Sequence, residues 1–522
     1  MAPIGWHWQW HSITQIAPKG PFPPTLSAAH PQFDSQTNEM FTVNGCKSLS
    51  GLFPLSDIFQ FHAHRFQRRY LEYGGVKTLA TSIIQQLNKV IEWLEGAISA
   101  LEIGGKDAVY INRWTGVGTG INQWQVMQSN GRPMKIRQSL HQMALTKNYA
   151  ILSDSAFKLH FTGLIPSLSC KISDFNKYIY QILAIFKKPL NVPEHPYTDI
   201  YFIPRAGLRS DVDIVTTKQV RIYPETAHFI ADYDDEEGKV TLHVGHTAAS
   251  DPAEFVLGVD RAVSNNFQVK NHLKERAGLT VSPMDASRLG CWVIDVENET
   301  ATPPAFLPEC DSRRNLWSLA LYTGHEFQPL QITDLYWNCW GAWPELYSQS
   351  AFDLYEYYPN RIVSVPEIVN KIIKYGKPAN LLRLHIDRSE STDRPKLTLE
   401  DCYNFPPGYF GNSPQFVPRA GSKDPTDGYC SVVLFSDNLL SDNNELWIFD
   451  AKNLSAGPRY RLSHPQLNIG VTIHTTWLSK LETPPIREDY SVRKDYQDAV
   501  NKTRSQAIKT LFEQDVYPHF ES

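Results

Sequence analysis

The sequence predicts an all-β fold of the propeller type, on three observations. Most of the 522 residues read as short apolar runs broken by turn residues. Aromatic residues are abundant, with 13 Trp, 24 Tyr and 25 Phe, and the 35 prolines fall mostly between the runs; this composition favours strands and turns over long helices. The spacing of the runs is nearly even, which suggests a sandwich, barrel or propeller, and at this length a propeller is the most economical single domain. No WD or kelch-type repeat accompanies them.

In chain order the strand candidates are "EMFTVNG", "DAVYINRW", "INQWQVMQSNGRP", "TDIYFIPRAG", "KVTLHVGH", "YCSVVLFSD" and "ELWIFDAKN". Three helices interrupt them. Between residues 76 and 102, Val76, Ala80, Ile83, Leu87, Val90, Leu94 and Leu101 recur at helical steps and predict an amphipathic helix. "ISDFNKYIYQILAIFKKPL", helical over 173–188, opens on Ser173 or Asp174 as N-cap and closes on Lys187 and Lys188, which suit the negative end of the helix dipole. After the "TPPIRED" linker, "RKDYQDAVNKTRSQAIKTLFEQD" reads as one charged helix. The expected organisation is a propeller over 1–483 with two helical insertions and a helical tail over 484–522.

Composition excludes several functions. With 50 basic against 55 acidic residues and a net charge of −5, there is no basic excess for a nucleic-acid partner. The seven cysteines are scattered and form no C-x-x-C pair, so neither a disulfide framework nor a thiolate zinc site is expected, and a reducing compartment is. The first residues lack the pattern of a signal peptide, and no run of about 18 apolar residues exists to span a bilayer. The expected location is cytoplasmic, with peripheral membrane contact. "GVGTG" at 116–120 precedes a strand rather than a helix, so it is no phosphate loop. No G-x-S-x-G elbow or H-E-x-x-H pair is present. Asn298, Asn453 and Asn501 open glycosylation-type triplets that need secretion to matter.

Among 17 histidines, four stand in distinctive wording: "LSAAHPQFDSQTNEMF" at His30, "SLHQMALTKNYAILSD" at His141, "YPETAHFIADYDDEEGKVTL" at His228 and "NIGVTIHTTWL" at His474. In that order they resemble the four iron-binding segments of the carotenoid cleavage oxygenases, a family that includes stilbene-cleaving dioxygenases and the retinoid isomerohydrolase. "DIYFIPRAG" before the third histidine and "FVPRAGSKDPTDGYCSVVLFSD" with "ELWIFDAKNL" before the fourth extend the likeness. The resemblance implies a seven-bladed β-propeller carrying Fe(II) on its axis, held by His30, His141, His228 and His474. It implies cleavage of a carbon–carbon double bond of a carotenoid or apocarotenoid by O2, with carbonyl products. Neutral imidazoles suit Fe(II), and four of them leave the ion its full charge and open positions. Histidine ligands ordinarily hydrogen-bond through the other ring nitrogen, a role that glutamates fill in this family; the likeness of "LYEYYPNRI" nominates Glu356. Relatives also dip an apolar patch into the bilayer, which nominates Phe175, Ile179, Ile182 and Phe186 of the 173–188 helix as an interfacial anchor.

The chain departs from the family's wording in four places. Only 29 residues precede His30, so an incomplete N-terminal blade is expected; Gln142 stands where an aspartate is common; Pro425 stands where relatives carry a glutamate, with Asp424 the nearest carboxylate; and the chain runs well past His474. These departures keep a second reading open, a catalytically degenerate propeller that binds an apolar ligand or a protein partner, and stilbene cleavage remains open beside carotenoid cleavage. His62 and His64 in "FHAHRFQRRY" would share one face of a strand, but no third ligand is spaced to join them. His243 and His246 in "HVGH" follow the third motif on what the resemblance makes an outer strand, away from the iron. The sequence leaves oligomeric state unknown.

Overall fold

The computed structural model describes residues 25–48, 51, 54–70, 75–100, 107–116, 120–158, 191–256, 260–263, 276, 278–307, 316–323, 330–436, 444–467, 469, 474–478, 480, 491–503 and 505–521. They divide into two compact units, Met1–Trp477 and Leu478–Ser522. The first is built of antiparallel meanders laid down in chain order. The first meander holds β1 (Thr25–Ser27), β2 (Gln32–Asp34), β3 (Glu39–Cys46), β4 (Ala108–Trp114) and β5 (Asn122–Gln128). The second holds β6 (Met143–Leu145), β7 (Tyr149–Asp154), β8 (Thr198–Pro204) and β9 (Ile214–Ile222), and its β9 pairs in parallel with β5. The third runs β10 (Thr226–Ala231), β11 (Lys239–His246) and β12 (Arg288–Asp295), with β13 (Thr300–Ala301) and β14 (Ala305–Phe306) both on β12. The fourth is β15 (Leu319–Thr323), β16 (Asp334–Cys339), β17 (Asn380–Asp387) and β18 (Lys396–Asn404), and the fifth is β19 (Tyr409–Pro418), β20 (Gly428–Ser436), β21 (Glu445–Asp450) and β22 (Pro458–Leu462).

Inner strands of the second, third and fourth meanders are apolar on both sides because each of these meanders packs between two others. β7 and β16 are buried at every position. Side chains alternate along a strand, so Leu152 joins Phe41, Val43 and Ile203 in one core while Ile151 joins Phe229, Leu242 and Ile294 in the next. Likewise Leu335 and Trp337 face a core with Leu289 and Leu384, whereas Tyr336 faces Phe416, Val432 and Trp447. Consecutive four-stranded sheets stacked face to face in this way are the construction of a propeller. The all-β architecture with inserted helices is thus observed, and the described residues form five meanders, the first two joined in one nine-stranded sheet; the count of seven remains an expectation from the resemblance.

The insertion between β3 and β4 is a helical pair, α1 (Leu55–Tyr70) and α2 (Gly75–Ala100). The second matches the helix expected over 76–102. The first does not match the strand considered for "FHAHRFQRRY": its residues are helical, His62 and His64 therefore point apart, and Arg68 Nε donates to His64 Nε2 at 3.0 Å. The 173–188 segment, with Phe175, Ile179, Ile182 and Phe186, lies outside the described residues. In the second unit the single helix expected after 484 is broken. Val492–Lys502 ends at Thr503, and Ser505 caps a new helix, Gln506–Leu511, by accepting from Ile508 N. Val492, Val500 and Tyr517 then form a small core, and Arg493 pairs with Glu513 at 3.0 Å. Among the described residues no helix is long and apolar enough to cross a membrane.

Candidate metal centre

Each of the four histidines is placed by a different piece of backbone. His30 sits between β1 and β2, and the Ala29 N–H donates to the His141 carbonyl at 2.9 Å, so the first two motifs run side by side. His141 stands two residues before β6 at the inner edge of the second meander. His228 lies in β10 just after a bulge: Thr226 faces His246 and His228 faces Gly245, which leaves Ala227 as the extra residue. A bulge of this kind turns the side chain that follows it. His474 belongs to the segment 474–478, where Thr475 Oγ1 lies 3.3 Å from Ser413 Oγ and 3.4 Å from the Pro414 carbonyl.

The remaining wording of the motifs locks these pieces together. Asp34, fully buried, accepts from the Gln36 and Thr37 amides, pairs with Arg205 at 2.5 Å and accepts from the Tyr233 hydroxyl at 3.1 Å. It thereby joins the first motif to the "IPRAG" strand end and to the residues after His228. Asp235 accepts from Thr146 Oγ1 at 2.6 Å and from Asn148 N at 2.8 Å, tying the second motif to the third.

The imidazoles converge. One ring nitrogen from each of His30, His141, His228 and His474 lies within 4.8 Å of all the others. Nε2 of His141 is 3.3 Å from Nε2 of His30 and 3.0 Å from Nε2 of His228. Two ligands on one ion at a metal–nitrogen bond of about 2.1 Å stand about 3.0 Å apart at a right angle and about 3.4 Å apart at the tetrahedral angle, so both separations fit a shared cation. The rings are also kept neutral, as ligation requires. Burial, then the neighbouring His474 and His141, lowers His30 to about 3, and burial with His474 lowers His141 to about 4. Burial, followed by the three other histidines, holds His228 well below the usual range, and partial burial of the His474 ring, whose residue remains exposed, lowers it as well. The donor set of four neutral imidazoles suits a borderline divalent metal such as Fe(II).

Two supports were not signalled by the histidine motifs. The His228 ring hydrogen-bonds the Ala320 backbone, whose strand β15 slips register against β16 between Leu319 and Tyr322. A carbonyl therefore orients this imidazole, a common arrangement for metal-binding histidine. Phe157 stacks on His141 with centroids 4.0 Å apart and meets His228 edge-on at 6.1 Å, walling one side of the cluster. Glu356 is not among the residues that gather at the centre. It caps the helix Gln349–Tyr355 and pairs with Arg65 of α1 at 3.4 Å. Asp424 lies in the turn after β19, paired with Lys452 at 2.8 Å. His243 and His246 serve the third meander, the first bonded to Asp232 at 2.9 Å and the second to the Pro224 carbonyl and Trp292 Nε1.

The family model described as retinal pigment epithelial membrane protein matches residues 1–479. A carotenoid dioxygenase of Gibberella fujikuroi is 34% identical over 102 residues, which is 18% of this chain and 14% of that protein. Among solved structures, a mutant apocarotenoid oxygenase of Synechocystis is 14% identical with a TM-score of 0.43, over 88% of this chain and 65% of that one. A cobalt-substituted form of the Synechocystis protein is 14% identical with a TM-score of 0.44, over 87% and 64%.

Proposed function

Because this chain belongs to the carotenoid cleavage oxygenases, the family of the retinal pigment epithelial membrane protein, we propose that it is a non-heme iron(II) dioxygenase acting on a carotenoid or apocarotenoid. The observation that carries the proposal is the convergence of four neutral histidines from segments 111, 87 and 246 residues apart. Bound there, Fe(II) would supply the activation of O2. Both oxygen atoms end in the two carbonyl products of the cleaved double bond, so no external reductant is required. The protein's share is to hold and shelter. Ala320 keeps the His228 ring turned inward, and Phe157 excludes water from one side of His141 and offers an apolar face beside it. No side chain need act as nucleophile or general base.

The test is anaerobic loading with Fe(II), metal quantification, then apocarotenals and, in parallel, stilbenes under ¹⁸O2. Near-stoichiometric iron with label in both aldehyde products is the expected result, and label only from stilbenes would redirect the substrate class. Absence of bound iron at excess metal would remove the enzyme reading. One observation favours the non-catalytic alternative: His474 is exposed while His228 is buried. Iron that binds without turnover, together with retained polyene binding, would identify that case.

A further inference from the structure

We propose that Gln142 is the positioning residue that sets the spacing of the histidine cluster, joining the His30, His141 and His228 segments at one point. Its backbone forms a parallel bridge with His30. Its side chain makes a two-point contact with the peptide backbone of Phe229: Nε2 donates to the Phe229 carbonyl at 2.5 Å, and Oε1 accepts from the Phe229 N–H at 2.9 Å. The amide can face only one way there, because a peptide N–H only donates and a carbonyl only accepts. Gln142 follows His141 and Phe229 follows His228, so the clamp holds the two ligand-bearing backbones one residue beyond each ring. The 3.0 Å separation of the His141 and His228 nitrogens is the consequence.

The fourth meander reinforces the clamp. The Tyr322 hydroxyl donates to the same Phe229 carbonyl at 3.1 Å and accepts from Gln142 Nε2 at 2.5 Å. Gln142 is 1% exposed, so water cannot replace these bonds. The residue type is chosen by geometry. Asparagine is one methylene too short for both contacts, a carboxylate lacks the donor, and methionine matches the length with neither hydrogen bond.

The assignment rests on the metal-centre reading, and its test separates the two. Co(II) serves as the probe, titrated into the full chain and followed by stoichiometry and visible absorption. Gln142→Met should weaken Co(II) binding roughly 10- to 100-fold, the range for losing a group that orients a ligand, and should alter the ligand-field bands. Leu454→Ala, which removes buried volume from the core between the fourth and fifth meanders, is the control for general destabilisation and should leave affinity and bands unchanged. In the metal-free protein, amide exchange at Phe229 should quicken in Gln142→Met. If that variant does not fold, Gln142→Glu carries the comparison with a partial loss of affinity, because it keeps the acceptor. Co(II) binding by the variant with unchanged affinity and spectrum would overturn the assignment, as would an equal loss in Leu454→Ala. Failure of the unaltered protein to bind Co(II) would overturn the metal centre, and this assignment with it.

Discussion

His228 and His474 each bring one ring nitrogen to the same cluster, yet they are held very differently. His228 is 6% exposed, follows a bulge in a paired strand and hydrogen-bonds the Ala320 backbone, whereas His474 is exposed and lies outside the strands. A ligand that is already ordered loses little freedom on binding, and one on an exposed segment must be immobilised first. His228→Ala should therefore weaken Co(II) binding by more than about 100-fold, since loss of an orienting partner alone costs roughly 10- to 100-fold. His474→Ala should cost less, and equal losses in the two titrations would refute the ranking. The same contrast explains what was legible at this scale. The four clustered rings could be picked out because each stands in long, distinctive wording, and residues such as Asp34, Asn148 and Arg205 are spelled out by the scaffold they interlock. Gln142 was visible only as a departure, because its clamp on Phe229 spans 87 residues. The Ala320 partner was not legible at all, since a backbone carbonyl leaves no residue type behind. Glu356 was nominated on local wording alone, and its carboxylate meets the guanidinium of Arg65 on α1, a helix the sequence did not predict.

Strand β11 carries a tight steric constraint directly beside the centre. Gly245 faces His228 across the ladder, and a Cβ there would stand 2.9 Å from Trp337 and 3.0 Å from Leu319 on the fourth meander. Gly245→Ala should lower stability by about 1–3 kcal/mol through overpacking and should disturb the site as well, because Gly245 is the ladder partner of His228. Denaturant unfolding with parallel Co(II) titration checks both; a variant matching the unaltered protein in each would show that Trp337 and Leu319 yield freely. Elements were legible where a short apolar or alternating run is bounded by turn residues, as "KVTLHVGH" and "ELWIFDAKN" are at β11 and β21. Helix α2 was legible by period but not by partner. Its predicted apolar positions Ile83, Leu87, Val90 and Leu94 are 44–54% exposed. Among the described side chains, Thr81, bonded to Gln67, and Glu95, bonded to Ser56, reach α1. Periodicity reports that a stripe exists and says nothing of what covers it.

At the scale of the whole molecule, stability depends on how one meander is fastened to the next, and the third and fourth share a buried charge network as well as an apolar core. Asp232, just after β10, pairs with His243 on β11 at 2.9 Å and with Arg388, just after β17, at 2.6 Å, and it accepts from the Ile332 amide at 3.0 Å. Burial alone would lower the His243 pKa, but the adjacent Cys291 and the Asp232 carboxylate outweigh it and push the ring up to about 9. A folded pKa above the unfolded value of about 6.5 means that protonation favours the folded state. The contribution is therefore complete below about pH 6.5 and is lost as pH rises through 9. A shift of this size corresponds to about 3 kcal/mol. Glu225, pushed up to about 7 by burial although Ala249 N donates to it, acts in the same direction but between about pH 4.5 and 7. Between pH 7 and 9.5 the histidine is opposed by Lys47, which burial lowers to about 8, so its share is read by difference in denaturant unfolding: the unaltered protein should lose stability across that interval relative to His243→Gln, which cannot titrate and which should be less stable at pH 7. A slope unchanged by the substitution would mean that the fastening between the third and fourth meanders is carried by the apolar core of Leu289, Leu335 and Trp337, with the charge network contributing no pH dependence.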